Sequence, residues 1–138
     1  MSRDEDAYDA LCSYTLGRGD AALIYQHVVD AFTAQHADEH SKPISVAFAL
    51  VGLYLLVEKQ FSGRQVQRAH MLLARHRRSW PAFLLPPDRG SVTAVEVMTL
   101  REGPERDSAI HGWCASVWAA YVDDRETVAG LLRQYGIV

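Results

Sequence analysis

Apolar residues recur along this chain at three- and four-residue intervals, and no stretch alternates apolar and polar positions between hairpin turns. The pattern predicts an all-α fold, one domain spanning residues 1–138 and built as a bundle of about five to seven helices. Breakers and caps set the boundaries. A first helix is expected from about Asp4 to Leu16, stopped by Gly17-Arg18-Gly19, after which Asp20 is placed to cap a second helix running to about His36. The polar stretch 38–42 reads as a loop. Pro43 suits the first turn of a third helix, where its missing N–H is an orphan anyway, and that helix runs to about Gln60. Ser62 is the natural cap of a fourth, from Gly63 to about Arg78. Trp80-Pro81 and Leu85-Pro86-Pro87 then impose an extended connector, with Trp80, Phe83 and Leu84 expected over the bundle. Thr93 and Glu96 have capping-box spacing for a short helix ending near Arg101. Gly103-Pro104 opens the next, through Tyr121, and Glu126 to Tyr135 forms the last.

Wrapping these segments at about 100° per residue puts several polar side chains on faces that should be buried. In the second helix Ala21, Ile24, Tyr25, Val28, Ala31 and Phe32 share one arc, with Gln35 near its middle and His27 at its edge. Asp30 lies within reach of His27. In the third helix Glu58 occupies the centre of the face formed by Ala47, Val51, Tyr54 and Leu55. A carboxylate there must be paired, protonated or open to a cavity. The penultimate helix carries Asp107, His111, Cys114 and Trp118 beside the stripe Ile110, Trp113, Val117 and Tyr121. If these three helices surround one core, His27, Gln35, Glu58 and His111 converge. Imidazole titrates near neutrality and burial raises a carboxylate toward it, so such a cluster suits metal binding or acid–base work. The alternative is a polar network that only fixes packing.

Composition and charge narrow the classes. The chain has 138 residues, of which 49% are hydrophobic and 22% charged, with a formal charge of −3. That balance suits an ordinary globular domain and disfavours a dedicated duplex-nucleic-acid binder. The charge is unevenly spread: residues 1–40 hold two basic and eight acidic side chains, whereas residues 59–89 hold seven and one. Such a split implies self-complementarity, within the fold or between copies. Much of the positive charge falls on one stripe of the fourth helix, Arg64, Arg68, Arg75 and Arg78, a surface for an anion or an acidic protein. Cys12 and Cys114 are too few for a disulfide scaffold, and the N-terminus has no signal-peptide layout. A cytoplasmic protein is expected. The longest apolar stretch, Ile44 to Val57, is short for a bilayer and reads as a core helix.

Two local motifs are weaker than they look. His36-Ala37-Asp38-Glu39-His40 matches the HxxEH pattern of inverted zinc proteases, but it sits at a helix end beside Ser41-Lys42-Pro43 with no evident downstream acidic ligand. His111 and Cys114 have the i,i+3 spacing of a zinc pair, yet a small Cys beside a Trp is commonly packing. Paired Glu-x-x-His motifs for a dinuclear centre are missing.

The segment His27-Val28-Val29-Asp30-Ala31-Phe32-Thr33-Ala34-Gln35-His36, followed by Gly52-Leu53-Tyr54, Glu58, Trp113 and Val117-Trp118, resembles a family of short bacterial domains of unknown function. The resemblance covers most of the chain. It implies an all-helical fold and a site near the His27 segment, and it brings no chemistry. The family pattern has a longer His-to-Asp spacing than His27-x-x-Asp30, a Tyr at Phe32 and an N-terminal CxxC pair of which only Cys12 is present. Nine residues put His27 and His36 about 180° apart on a continuous helix, so they share one mononuclear site only if the helix ends or bends before His36.

The leading expectation is therefore a metal-dependent enzyme or metal or small-ligand binder. His27 would ligate a divalent metal such as zinc or act as general base, Asp30 would orient it, and Glu58 would be second ligand or acid. Gln35 would hold substrate and His111 would close the site. The competing expectation is a non-catalytic homodimeric interaction module using the basic helix face. Single-stranded RNA binding through that face and Trp80 is disfavoured, because no aromatic platforms interleave the arginines.

Overall fold

The computed structural model describes residues 3–19 and 24–138. Among them lie seven α-helices: α1 (Arg3–Arg18), α2 (Ile24–His36), α3 (Pro43–Lys59), α4 (Gly63–His76), α5 (Ala94–Met98), α6 (Pro104–Ala120) and α7 (Arg125–Gln134). A turn of 3-10 helix, Val122–Asp124, precedes α7, and no strand occurs among the described residues. The expected all-α bundle is what forms. The cap assigned to Asp20 lies outside the described residues.

Helix α3 is the axis of the fold, because its sequence is apolar almost all round and such a helix is stable only when buried on every side. Val46, Ala47 and every residue from Ala49 to Leu56 are buried, and α2, α4, α6 and α7 pack around them. It begins at Pro43 and ends where Gln60 turns into the left-handed region at φ 55. There the Gln60 and Phe61 amides donate back to Leu56 and Leu55 at 3.1 and 2.9 Å, satisfying carbonyls that the helix end would leave open. Two residues later the Ser62 hydroxyl accepts from the Gln65 amide and the Gln65 side chain accepts from the Ser62 amide. The reciprocal cap starts α4 at the position the sequence predicts.

Several details differ from expectation: α1 continues through Gly17 to Arg18 instead of stopping at Leu16, and α5 ends at Met98 instead of near Arg101. Helix α4 stops at His76, with Arg77 extended and its side chain donating to the Ser79 carbonyl at 2.8 Å, so Arg78 leaves the helical stripe. In the connector, Trp80 and Phe83 pack on the core as expected, but Leu84 is 69% exposed. Its amide instead donates to the buried Asp124 carboxylate at 2.9 Å, and this bond sets the direction of the chain.

The connector is fastened by side chains that the end of α2 needs. Arg89 donates to the Pro86 carbonyl, to Ala34 O at 3.0 Å and to the Tyr121 hydroxyl at 3.1 Å. Tyr121 itself donates to Ala34 O at 2.7 Å, so the terminal carbonyls of α2 are capped from across the fold.

Candidate functional site

On α2 the two polar residues of the buried face go to different places. Asp30 is 2% exposed and its Oδ1 accepts from Gln26 Nε2 at 3.0 Å, so it does not orient His27 as the sequence suggested. Its Oδ2, buried and unbonded, is pressed against the backbone of Gly52 on α3, where an added Cβ would sit 1.8 Å from it. Burial holds this acid well above the usual carboxylate range, with the Gln26 bond pulling the other way. Burial thus favours the protonated form of Asp30 in the folded protein. It also lines a cleft of about 190 Å³ with Gln26, Phe48 and His70. His70 is buried as well, stacked on Phe48 with ring centroids 4.7 Å apart and Nε2 2.8 Å from the Phe48 carbonyl oxygen. A carbonyl only accepts, so Nε2 carries the proton, and burial lowers the imidazole to about 4.

His27, 1% exposed, turns instead toward α6. Its ring lies 5.6 Å from that of His111, centroid to centroid, at an interplanar angle of 57°. Both line a cleft of about 340 Å³ whose other walls are Leu56, Gln60, Phe61, Ser62 and Gln65. The geometry follows from the chain path, since the α3-to-α4 turn brings Gln60 and Ser62 to the end of α3 nearest the start of α2. His111 is exposed at the cleft mouth. One turn before it, Asp107 accepts from the Tyr14 hydroxyl and from Arg18, each at 2.6 Å. Burial pushes Asp107 upward, but these bonds and the nearby positive charge of Arg18 outweigh it and hold the carboxyl below its usual range. Asp107 therefore stays ionised beside His111.

The remaining predicted members do not join this cleft. Glu58 faces α6 and α7, where Arg125 Nε lies 3.0 and 2.9 Å from its two oxygens, Arg125 Nη2 lies 2.6 Å away and Trp118 Nε1 donates at 2.7 Å. A carboxylate engaged on both oxygens is a poor metal ligand and a poor acid. Gln35 accepts from the buried Trp113 indole at 3.0 Å and donates to the Val92 carbonyl at 2.7 Å, which fixes the connector rather than a substrate. The zinc pair fails too: Cys114 is buried and points at the His27 carbonyl oxygen, 3.5 Å away, and burial pushes its thiol far up, with Asp30 adding to the effect. The HxxEH motif is broken because α2 ends at His36, leaving His40 exposed in the following turn. Among the described residues no group of three His, Cys, Asp or Glu side chains is gathered to hold a metal ion. Arg64, Arg68 and Arg75 are exposed on one face of α4.

The Glu58 clamp makes its own prediction. The Arg125 bond dominates and lowers the Glu58 carboxyl from its usual 4.5 although burial opposes it. A lowered folded value means that stability is present above pH 4.5 and lost as pH falls through the folded value. Glu58→Gln should melt lower than wild type at neutral pH and converge on it in acid. Parallel melting curves from pH 3 to 7, about the range over which a carboxylate titrates, would show the clamp contributes nothing pH-dependent.

The profile of a family of unknown function, DUF5946, matches residues 5–122. The chain belongs to this family. The match runs from Glu5 within α1 to Val122, the first residue of the 3-10 turn, and so includes the His27–His111 cleft, Asp30 with Gly52, and Glu58, but not its partner Arg125. No curated protein and no solved structure matches the chain. Membership in DUF5946 thus agrees with the resemblance drawn from the His27 segment and adds no activity to it. Among the described residues no helix is long and apolar enough to cross a membrane.

Sequence reasoning gave no role to Arg125, Gln26 or His70, nor to Gly52 beyond its place in the family resemblance. Only Gly52 left a signal: an isolated glycine within an apolar helix costs about 1 kcal/mol relative to alanine and so marks a close approach.

Proposed function

We propose that the cleft between α2, α6 and the α3-to-α4 turn binds a divalent transition-metal ion, zinc in the first instance, through His27 and His111. The observation that carries the reading is the 5.6 Å separation of the two rings. With metal–nitrogen bonds of about 2.0–2.1 Å, two imidazoles on one tetrahedral ion place their centroids about 5 Å apart, so a small ring adjustment suffices. Two protein ligands leave coordination positions open for water or a small molecule. Gln60, Ser62 and Gln65, which line the same cleft, supply neutral hydrogen-bonding groups for such a molecule. Ionised Asp107 favours a cation on the His111 side. Glu58, Gln35 and Asp30 take no part as ligands in this reading.

Metal content of protein purified without tag or chelator, followed by zinc titration watched on the histidine resonances, tests it. The exposed ring of His111 makes His111→Ala the variant that leaves packing intact. It should weaken zinc by about tenfold or more, and His27→Ala should do the same. Zinc that neither copurifies with the wild-type chain nor shifts the two imidazoles would end the proposal. So would equal zinc binding by wild type and His111→Ala.

A further inference from the structure

Helices α1 and α4 both pack on α2, and their exposed faces carry opposite charge. Helix α4 packs on α3 and α2, leaving Arg64, Arg68 and Arg75 exposed around Met71, which is 63% exposed. Among the described residues none of these three arginines forms an ion pair. Helix α1 packs on α2 and α5, and presents the exposed Asp6 and Asp9 on the same side as Leu16, which is 66% exposed. Neither aspartate forms an ion pair among the described residues. A helix surface that holds unneutralised charge of one sign around an exposed apolar side chain is shaped for a partner of the opposite sign. Here the same chain carries that partner.

The spacing agrees. Seven residues separate Asp9 from Leu16 and seven separate Arg64 from Met71, about 10.5 Å along either helix axis. When the helices lie side by side, carboxylate meets guanidinium at one end and Leu16 meets Met71 at the other. The net charge of −3 makes unassisted self-association unfavourable at long range, so any attraction between copies must come from local complementarity.

We propose that this face is an interface between two copies of the chain, α1 of each docking on α4 of the other about a two-fold axis. Such an arrangement uses both helices of both copies and closes, which limits assembly to a dimer. It is independent of metal binding, because none of the interface residues lines the His27–His111 cleft.

Sedimentation of the full chain at low salt and at about 1 M salt gives the first test, since exposed charge pairs are screened at the higher ionic strength. A dimer at low salt that dissociates at high salt is expected. Arg64→Glu with Arg68→Glu, and separately Asp6→Arg with Asp9→Arg, should each leave a folded monomer, with circular dichroism as the check on folding. The decisive arm mixes the two charge-reversed chains. In the mixed pair each reversed helix faces its complement, so the heterodimer should return with an affinity within about tenfold of wild type. Milder variants, Arg64→Gln and Asp9→Asn, should weaken the dimer without abolishing it. A wild-type monomer at low salt, a dimer indifferent to either reversal, or a mixture that stays monomeric would each overturn the proposal. A salt-sensitive complex with an added nucleic acid in place of the dimer would do so as well.

Discussion

Replacing Gly52 by alanine is expected to destabilise the fold by about 2–4 kcal/mol, although alanine is the better helix former by about 1 kcal/mol. The added Cβ would stand 1.8 Å from Asp30 Oδ2 and 2.6 Å from Asp30 Cγ, far inside van der Waals contact. Asp30 is short, 2% exposed and held at its other oxygen by Gln26, so it cannot swing into solvent without opening the seam between α2 and α3. Among the described residues that seam joins the two most closely associated helices. Truncating the obstacle should restore what the methyl group costs: in the Asp30→Ala background, Gly52→Ala should be neutral or stabilising. The cycle of four denaturation curves should therefore show a coupling at the upper end of the 0.5–3 kcal/mol common for contacting residues. A Gly52→Ala protein that melts with wild type would mean that the helices already stand further apart than this contact requires.

Helix boundaries were legible because their causes are local. Pro43 at a first turn, the Ser62–Gln65 reciprocal cap and the Thr93 hydroxyl accepting from the Glu96 amide act within four residues, and each is found where the spacing predicts it. The site was misread because a helical wheel reports direction and discards height and twist. His27 and Gln35 are near one arc of α2, yet eight residues place them about 12 Å apart along the axis. They could never have shared a small ligand. Leu56 lines the His27 cleft while Glu58, two residues on, is rotated by about 200° and meets α7 instead. Its partner Arg125 lies 67 positions away, a pairing that depends on the docking of α7 and has no short-range signature. The His27–His111 proximity was the part of the expected cluster that survived, because it needs only α2 and α6 to face each other across α3's end.

Asp30→Asn is expected to change the pH dependence of stability in the direction opposite to Glu58→Gln. In the unfolded chain Asp30 has its usual value near 3.8, whereas burial raises it in the folded state. Below pH 3.8 both states hold the proton and the acid costs nothing extra. As pH rises above that value the unfolded chain ionises first, so folding must retain a proton or bury a charge, and stability falls until pH passes the folded value. The amide cannot ionise and keeps an oxygen for Gln26. Melting temperatures of wild type and Asp30→Asn should therefore run parallel in acid and diverge above pH 4, the variant gaining on wild type as pH rises. Any fixed cost of placing the amide against Gly52 shifts the whole curve and leaves this divergence untouched. Glu58 and His70 cannot imitate it, since both have lowered values and lose stability as pH falls, His70 between its usual 6.5 and about 4. Subtracting one curve from the other removes both. A constant difference between the two proteins from pH 4 to 8 would place Asp30 ionised in the folded state, in an environment that neutralises it, and would remove the reason why Gly52 must leave room for a neutral acid.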